Sequence, residues 1–168
     1  MNIVITGSTR GIGLAAAKQL LRDGHAVTIC SEDEADVTTA LAALESEGLQ
    51  ARGIRCDVSM ESDIEALLNF ARENGRDIDA WINNAGMPGV TGRTDELPTD
   101  YLRRVIAVNI QGTCLGQMLS CPEHTIIHGR NLFRTQAAAQ AEGVMLILPI
   151  DQGINPVVAA GLIVHGLV

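Results

Sequence analysis

Short apolar runs alternate with longer segments in which apolar residues recur three and four positions apart. The runs at residues 3–5, 26–30, 51–56 and 78–83 predict four strands, and their continuous apolar character is typical of strands that are buried on both faces. Strands that alternate with helices of this length favour parallel pairing through right-handed crossovers. The pattern therefore predicts an α/β fold, a doubly wound parallel sheet of the Rossmann type.

The same periodicity assigns an inner face to each predicted helix. We expect the first helix to run from Gly11 to Arg22 and to stop at Asp23-Gly24. The second should follow the acidic segment 31–34 and end near Gly48, and the third should begin after Ser59 as its N-cap. The predicted inward residues are Ile12, Ala15, Ala16 and Leu20 in the first helix, Val37, Leu41 and Leu44 in the second, Ile64, Leu67, Leu68 and Ala71 in the third, and Leu102, Val105, Ile106 and Ile110 in a helix that starts at Thr99-Asp100.

A glycine-rich turn, Thr6 to Gly13, joins the first strand to the first helix. Such a turn points backbone N–H groups and the positive end of a helix dipole at one place, where a pyrophosphate is the natural ligand. By analogy with dinucleotide-binding turns, Gly7 would allow the tight turn, Gly11 the approach of the phosphates and Gly13 the packing of helix on strand. The open alternative is an ordinary strand-to-helix turn without a ligand.

Three further motifs follow: Cys56-Asp57-Val58 and Asn83-Asn84-Ala85-Gly86 at the ends of strands, and Val108-Asn109-Ile110 inside the helix that starts at Thr99. Together with the glycine turn, and in this order, they resemble the short-chain dehydrogenase/reductase family over residues 1–118. The segments 7–13, 56–58 and 78–86 are also similar to chlorophyll b reductases. The resemblance implies a nicotinamide dinucleotide, NAD or NADP, and hydride transfer between it and a carbonyl or alcohol substrate.

The resemblance also implies roles for individual residues. Asp57 would bond the adenine amino group, Val58 would pack on the ring, and Asn109 would hold a water that leads to a catalytic lysine. Asp57 as a helix cap, Asn83 and Asn84 as a self-stabilised turn, and Asn109 as a satisfied amide between helices stay open as alternatives. The candidate cofactor-binding residues are Gly7, Thr9, Arg10, Gly11, Ile12, Gly13, Ser31, Asp57, Val58, Asn84, Ala85 and Gly86, and the candidate catalytic residue is Asn109.

The choice of cofactor depends on Arg10 and on the end of the second strand. An acidic residue there binds both ribose hydroxyls of NAD, whereas a nearby arginine accommodates the 2′-phosphate of NADP. Ser31 stands at the position of the NAD-selecting acid, and Arg10 matches a basic residue common among NADP users, so we expect NADP in preference to NAD. Arg10 paired with a neighbouring carboxylate is the alternative, and the acidic stretch that begins at Glu32 would repel a 2′-phosphate.

Beyond Asn109 the sequence departs from the family, which places a catalytic Ser on a strand and then Tyr-x-x-x-Lys on a helix. The only tyrosine is Tyr101, the only lysine is Lys18, and the last serine is Ser120. Two hypotheses follow. The chain is an oxidoreductase with an altered catalytic apparatus, or it is a non-catalytic nucleotide-binding or interaction module, or a truncated product, that keeps the cofactor half.

Composition narrows the class of protein. The chain has 168 residues, 46% of them hydrophobic but only 2% aromatic, and a net charge of -8. The acidic balance argues against a nucleic-acid partner, and the apolar segment 155–168 is too short and interrupted for a membrane span. We expect one domain, with residues 119–168 as a divergent tail that holds a further strand at 144–150. The expected location is cytoplasmic, the substrate is an unknown small molecule, and association into a homo-oligomer stays open.

Cysteine and histidine residues give no metal motif. Cys30, Cys56, Cys114 and Cys121 form no Cys-x-x-Cys pair and are expected to be reduced structural thiols. His124 and His128 have the i, i+4 spacing of a ligand pair on a helix, but the residues between them favour strand or loop. We therefore expect no metal site, and we expect His165 to be an edge or core residue.

Overall fold

The computed structural model describes residues 1–73, 75–89, 93, 95 and 97–120, together with the backbone of two later strands. Predicted strands and helices follow one another in the expected order. The elements are β1 (Asn2–Ile5), α1 (Gly11–Arg22), β2 (Ala26–Ser31), α2 (Glu34–Ser46), β3 (Arg52–Arg55), α3 (Glu61–Arg72), β4 (Ala80–Asn83), α4 (Thr99–Ile106), a π-helical segment (Ala107–Gln111), α5 (Gly112–Ser120), β5 (Val144–Ile147) and β6 (Gly161–Val164).

The strands form one sheet in the order β3-β2-β1-β4-β6-β5. Strands β1 to β4 are parallel, which confirms the doubly wound Rossmann-type arrangement. Strands β2 and β3 are added on one side of β1, and β4 is added on the other side, so the strand order reverses at β1. Strand β6 pairs antiparallel with β4, and β5 pairs antiparallel with β6. Strand β5 covers the first half of the predicted 144–150 strand, while β6 lies in the 155–168 segment that the sequence did not assign to a strand.

Helices cover both faces of the sheet because alternate residues of each strand point to opposite sides. Ile3 and Ile5 of β1 pack with Ala17 and Leu44 beneath α1 and α2. Val4, between them, packs with Leu67 beneath α3 on the other face. All four residues assigned to the inner face of α3 are buried there, which confirms that prediction: Ile64, Leu67, Leu68 and Ala71.

Three details of the helix predictions were wrong. Leu102, Ile106 and Ile110, which were assigned to the inner face of the helix that begins at Thr99, are exposed. Ile12 is 73% exposed and Ala15 is also exposed, while the buried positions of α1 are Gly13 and Ala17. The helix carries alanine and glycine on several of its sides, so its periodicity did not single out the face that contacts the sheet. Ser59 is not an N-cap: α3 is preceded by Met60 without a side-chain cap, and the Ser59 hydroxyl donates instead to Asp57 Oδ1 at 2.7 Å.

The helix that begins at Thr99 extends beyond Ile110, the last residue that the sequence pattern assigned to it. It passes through the π-helical turn and continues as α5 to Ser120. Two glycines of α5 lie against other elements: a Cβ on Gly112 would be 2.8 Å from Val58 Cγ2, and a Cβ on Gly116 would be 2.6 Å from Asn83 Oδ1. The approach of Gly112 to Val58 places the helix next to the loop that follows β3, and the approach of Gly116 to Asn83 places it against β4.

Candidate functional site

A cleft of about 270 Å³ lies at the carboxyl ends of β1, β2, β3 and β4. In open α/β sheets ligands bind at this edge, where the strand order reverses. We call it the strand-end cleft. Eleven of the twelve candidate cofactor-binding residues line it, all except Gly11. The lining residues are Gly7, Thr9, Arg10, Ile12, Gly13, Ser31, Glu32, Cys56, Asp57, Val58, Asn84, Ala85, Gly86, Met87, Arg104 and Val108.

The first wall of the cleft is the turn between β1 and α1. Gly7 has φ +61°, and a Cβ there would be 2.6 Å from Ala85 Cα. A Cβ on Gly13 would be 2.5 Å from Asn84 Nδ2 and 2.6 Å from the Gly7 carbonyl oxygen. Only glycine fits these two positions, because the helix, the turn and the loop after β4 meet there in direct contact.

Thr6 and Asn84 join the two turns by hydrogen bonds. Thr6 Oγ1 accepts from the backbone N–H groups of Asn84 and Ala85, both at 3.0 Å. Asn84 Nδ2 donates to the carbonyl oxygens of Thr6 at 3.0 Å and Gly7 at 2.8 Å. Asn83 faces α5, where its Nδ2 donates to the Thr113 carbonyl oxygen at 3.4 Å, and its Oδ1 accepts from Trp81 Nε1 of the same strand at 2.8 Å. The two asparagines therefore stabilise structure on opposite sides, and Asn84 holds the glycine turn in shape.

Gly11 is the open point of the glycine turn. Its φ is +56°, and no described atom lies within 4 Å of a Cβ placed on it. It stands between Arg10 and Ile12, which both line the cleft, and it begins α1. No described side chain caps this helix start, so a bound anion would satisfy its free N–H groups and meet the positive end of the dipole.

Asp57 lies at the end of β3 with both carboxylate oxygens engaged. Oδ1 accepts from Ser59 N at 3.0 Å and from the Ser59 hydroxyl, and Oδ2 accepts from Arg104 Nη2 at 2.9 Å. Burial raises the pKa of this carboxyl, but the hydrogen bonds from Ser59 and Arg104 outweigh burial and hold the pKa below its usual value. A carboxylate has about four lone-pair positions, so Asp57 keeps acceptor capacity for one more donor.

Arg104 is a cleft residue that the sequence analysis missed. Its Nη1 donates to Ser59 Oγ at 2.6 Å, and its Nη2 is shared between Asp57 and Glu32 Oε2, the latter at 2.6 Å. These hydrogen bonds raise the pKa of Arg104, which keeps it charged. One signal could have found it: Arg104 precedes Val108 by one helical turn, so both residues lie on the same face.

Arg10, the arginine that the sequence predicted for this site, is loosely held. Arg10 Nη1 is 3.7 Å from Asp36 Oδ2, and its side chain is 85% exposed. An ion pair at this distance in solvent is weak, so Arg10 is free to turn toward a ligand in the cleft. Ser31, at the end of β2, also lines the cleft.

Asn109 lies in the π-helical turn beside the cleft residue Val108, and its carboxamide is hydrogen-bonded to the main chain of Met87. π-Helical turns inside helices are frequent at functional sites. Beneath the cleft, Cys30 and Cys56 are buried and free. A hydrogen bond with Cys30 and burial raise the pKa of Cys56, so its thiol stays protonated. Cys114 is free but exposed, and Cys121 lies outside the described residues.

Tyr101 and Lys18 are engaged in separate places. The Tyr101 hydroxyl donates to the Pro88 carbonyl oxygen at 2.6 Å, in the loop after β4. Lys18 pairs with Glu47 at the end of α2. Ser120 is the last residue of α5 and is buried. The structure therefore does not bring these three residues together as a proton-donating group.

Within the described part of the chain, no group of three or more His, Cys, Asp or Glu side chains could hold a metal ion. His124, His128 and His165 lie outside it. None of the described helices is both long enough and apolar enough to cross a membrane.

The strand order and the position of the cleft define a Rossmann-type α/β domain. Residues 1–128 match the family model described as short chain dehydrogenase. The chain therefore belongs to the short-chain dehydrogenase family.

Individual relatives cover the same region. Chlorophyll(ide) b reductase NOL, chloroplastic, of Oryza sativa subsp. japonica is 41% identical over 125 residues, which are 73% of this chain and 35% of the relative. Dehydrogenase/reductase SDR family member 2, mitochondrial, of Homo sapiens is 32% identical over 161 residues, 95% of this chain and 52% of the relative. The chain thus spans about half or less of the length of these relatives.

Among solved structures, a tryptophan-substituted variant of actinorhodin polyketide ketoreductase with NADPH superposes with a TM-score of 0.67 at 34% identity. The match covers 71% of this chain and 45% of the ketoreductase.

Proposed function

We propose that this protein is an NAD(P)-dependent oxidoreductase that transfers hydride between the nicotinamide cofactor and a carbonyl or alcohol substrate. The observation that carries the proposal is the convergence of eleven candidate cofactor-binding residues on one cleft at the carboxyl ends of parallel strands. These residues come from four separate stretches of the sequence, so their meeting is a property of the fold and not of one motif.

The residues present fit a dinucleotide. The pyrophosphate would lie over Gly11 at the start of α1, where the backbone is open and uncapped. The adenine would lie against Val58, with its amino group donating to the remaining acceptor position of Asp57. Asn84 to Gly86 would line the ribose side. NADP is the preferred form, because Ser31 offers no carboxylate to the ribose and Arg10 is weakly held. The related ketoreductase structure contains NADPH.

The bound nicotinamide would supply the hydride chemistry, and the chain would bind and orient the cofactor. In this role Asn109 is the candidate that holds a water close to the reacting end, as part of a proton path. Its own carboxamide is fixed on Met87, so it is rigidly placed. The identity of the substrate depends on residues beyond the strand-end cleft.

A second function is favoured by one specific observation. Tyr101 and Lys18, the only residues of their types in the sequence, are engaged with Pro88 and Glu47 on different elements. A chain that binds the dinucleotide but lacks a positioned proton donor would act as a nucleotide-binding or interaction module. Both functions predict cofactor binding. Only the oxidoreductase predicts turnover of a substrate, so an activity measurement distinguishes them.

Titration calorimetry with NADPH and NADH tests cofactor binding, and Gly11→Asn is the informative variant. Asparagine tolerates positive φ, so this change adds a side chain at the phosphate position with little backbone strain. Gly24→Asn is the matched control: Gly24 has φ +84° and open space but lies at the other end of α1. We expect Gly11→Asn to abolish binding and Gly24→Asn to preserve it. A folded wild-type chain that binds neither cofactor would overturn the proposal.

The compartment and partners remain predictions. We propose a cytoplasmic location, although the names of the rice and human relatives say chloroplastic and mitochondrial. Fluorescent tagging of the protein in its own cells tests this. A nicotinamide dinucleotide and a small-molecule substrate are the proposed partners, and sedimentation analysis would detect a homo-oligomer.

A further inference from the structure

Three side chains meet at Arg104 from different parts of the fold. Glu32 is the residue directly after β2, Asp57 and Ser59 lie in the loop after β3, and Arg104 lies on α4. One guanidinium nitrogen, Nη2, is 2.6 Å from Glu32 Oε2 and 2.9 Å from Asp57 Oδ2. The other, Nη1, donates to Ser59 Oγ. Charge-assisted bonds of this length hold all three partners in defined positions.

The charge balance of this cluster depends on Arg104. Glu32 and Asp57 contribute two negative charges, and Arg104 contributes one positive charge between them. Arg55 is also close, but its Nη1 is paired with Asp63 at 2.8 Å and its Nε donates to the main-chain oxygen of Glu32, not to the carboxylate. Among the described ion pairs, the one that neutralises the Glu32 carboxylate is therefore the pair with Arg104.

Glu32 occupies a sensitive position in the strand-end cleft. It follows Ser31 at the end of β2, the place where dinucleotide-binding folds recognise the adenosine ribose. An unpaired carboxylate there would repel the 2′-phosphate of NADP, as the acidic stretch after Ser31 predicts from the sequence alone. The structure shows this carboxylate paired with Arg104, whose guanidinium also binds Asp57, so the charge of Glu32 is offset in part.

We propose that Arg104 is a specificity-determining residue: by pairing with Glu32 it permits the cleft to accept a 2′-phosphorylated adenosine. The inference rests on the proposed dinucleotide binding and goes further, because it assigns NADP tolerance to a residue of α4 rather than to Arg10 alone. Arg104 also fixes Asp57, so its removal weakens both cofactors somewhat. The specific signature is the additional loss for the 2′-phosphorylated form.

The test is the ratio of dissociation constants, NADH over NADPH, measured by calorimetry for four proteins: wild type, Arg104→Met, Glu32→Gln and the double variant. The fragments 5′-AMP and 2′,5′-ADP are titrated in parallel, because they isolate the adenosine end. Arg103→Met is the matched control. Arg103 is the neighbouring residue on α4, carries the same charge, pairs with the exposed Asp100 and does not line the cleft.

Arg104→Met should lower the ratio about tenfold, since it leaves a bare carboxylate near the 2′-phosphate. In the Glu32→Gln background the same substitution should lower it about threefold or less, since the repelling carboxylate is then absent. Arg103→Met should leave it within about twofold, because solvent and salt screen its charge. Equal losses from Arg104→Met in both backgrounds, or equal weakening of NADH and NADPH, would overturn the inference.

Failure of the proposed function gives a different result. If the folded wild type binds none of the four ligands, dinucleotide binding itself is wrong. If the wild type binds them and the ratios do not respond as described, only the role of Arg104 is wrong. Should Arg104→Met fail to fold, Glu32→Gln alone decides: releasing Arg104 from its carboxylate partner should raise the ratio about threefold, and an unchanged ratio would contradict the inference.

Discussion

Asn109 and Met87 hold each other through a reciprocal pair of hydrogen bonds. The Met87 N–H donates to Asn109 Oδ1 at 2.9 Å, and Asn109 Nδ2 donates to the Met87 carbonyl oxygen at 3.0 Å. The pair joins the π-helical turn after α4 to the loop after β4. One amide side chain thus satisfies both polar groups of a loop residue that lines the strand-end cleft.

Replacing Asn109 with alanine should destabilise this loop. Both polar groups of Met87 would lose their partner in a partly buried place, which costs about 1–3 kcal/mol in the free energy of unfolding. Urea denaturation measures the loss, and amide hydrogen exchange at Met87 should become faster. Asn69→Ala on the exposed side of α3 is the matched control and should change little. Equal stability of the two variants would contradict the role of Asn109 as an anchor.

Gly116→Ala should loosen the packing of α5 on the sheet. The added Cβ would be 2.6 Å from Asn83 Oδ1 and 2.7 Å from Trp81 Nε1, two atoms that are hydrogen-bonded to each other. Overpacking of this kind costs about 1–3 kcal/mol, which thermal or urea unfolding would show. Gly89→Ala is the control, because no described atom lies within 4 Å of a Cβ there. An unfolding free energy equal to that of the control would show that α5 shifts freely.

The parts of the fold that the sequence predicted well are those in which local pattern and tertiary contact agree. Helix α3 has one apolar stripe with polar residues elsewhere, so its buried face could be identified from periodicity. Helix α1 has alanine and glycine on several sides, and its orientation is decided by the close approach of Gly13 to Asn84 and Gly7. The contact between Gly13 and Asn84 joins distant parts of the chain and leaves no periodic signal.

The candidate site shows the same division. Residues at strand ends could be predicted, because the topology brings all carboxyl ends of parallel strands to one edge. The ion pairs of Arg104 could not be predicted from position, since its partners Asp57 and Glu32 are 47 and 72 residues away in the sequence. Their ion pairs depend on how α4 crosses the sheet edge, which a strand-and-helix pattern does not specify.

The depressed pKa of Asp57 predicts a loss of stability at acid pH. A carboxyl whose pKa is lower in the folded than in the unfolded chain stabilises the fold above its unfolded pKa, and this contribution is lost as pH falls through the folded value. Asp57→Asn should therefore be less stable than wild type near neutral pH, and the difference should shrink below about pH 4. Urea unfolding from pH 7 to pH 3 measures it.

Asp100→Asn provides the control for this pH series. Asp100 is 92% exposed and pairs only with Arg103 among the described ion pairs, so its replacement should leave the unfolding free energy nearly unchanged. A difference between Asp57→Asn and wild type that stays constant over the whole pH range would show that Asp57 stabilises the fold without its charge.

The final prediction concerns turnover: the 168-residue chain should be a weak carbonyl reductase even when it binds NADPH. Hydride transfer to a carbonyl places negative charge on oxygen, and a missing proton donor costs on the order of 10²- to 10⁴-fold in rate. The Tyr101 hydroxyl is committed to Pro88, and Lys18 is paired with Glu47. NADPH oxidation with aldehydes, ketones and quinones should therefore fall well below about 1 s⁻¹, the low end of ordinary enzymes.

Two variants identify the acid if turnover is nevertheless fast. Tyr101→Phe keeps the ring and removes only the hydroxyl, so a large rate loss in this variant would make Tyr101 the donor and contradict the prediction. A rate that survives Tyr101→Phe but disappears in the His124→Ala, His128→Ala double variant, with NADPH binding intact, would assign the proton to a histidine, whose unperturbed pKa lies near neutral pH. Slow turnover in all of these proteins, with cofactor binding preserved, is the expected result and favours the nucleotide-binding module.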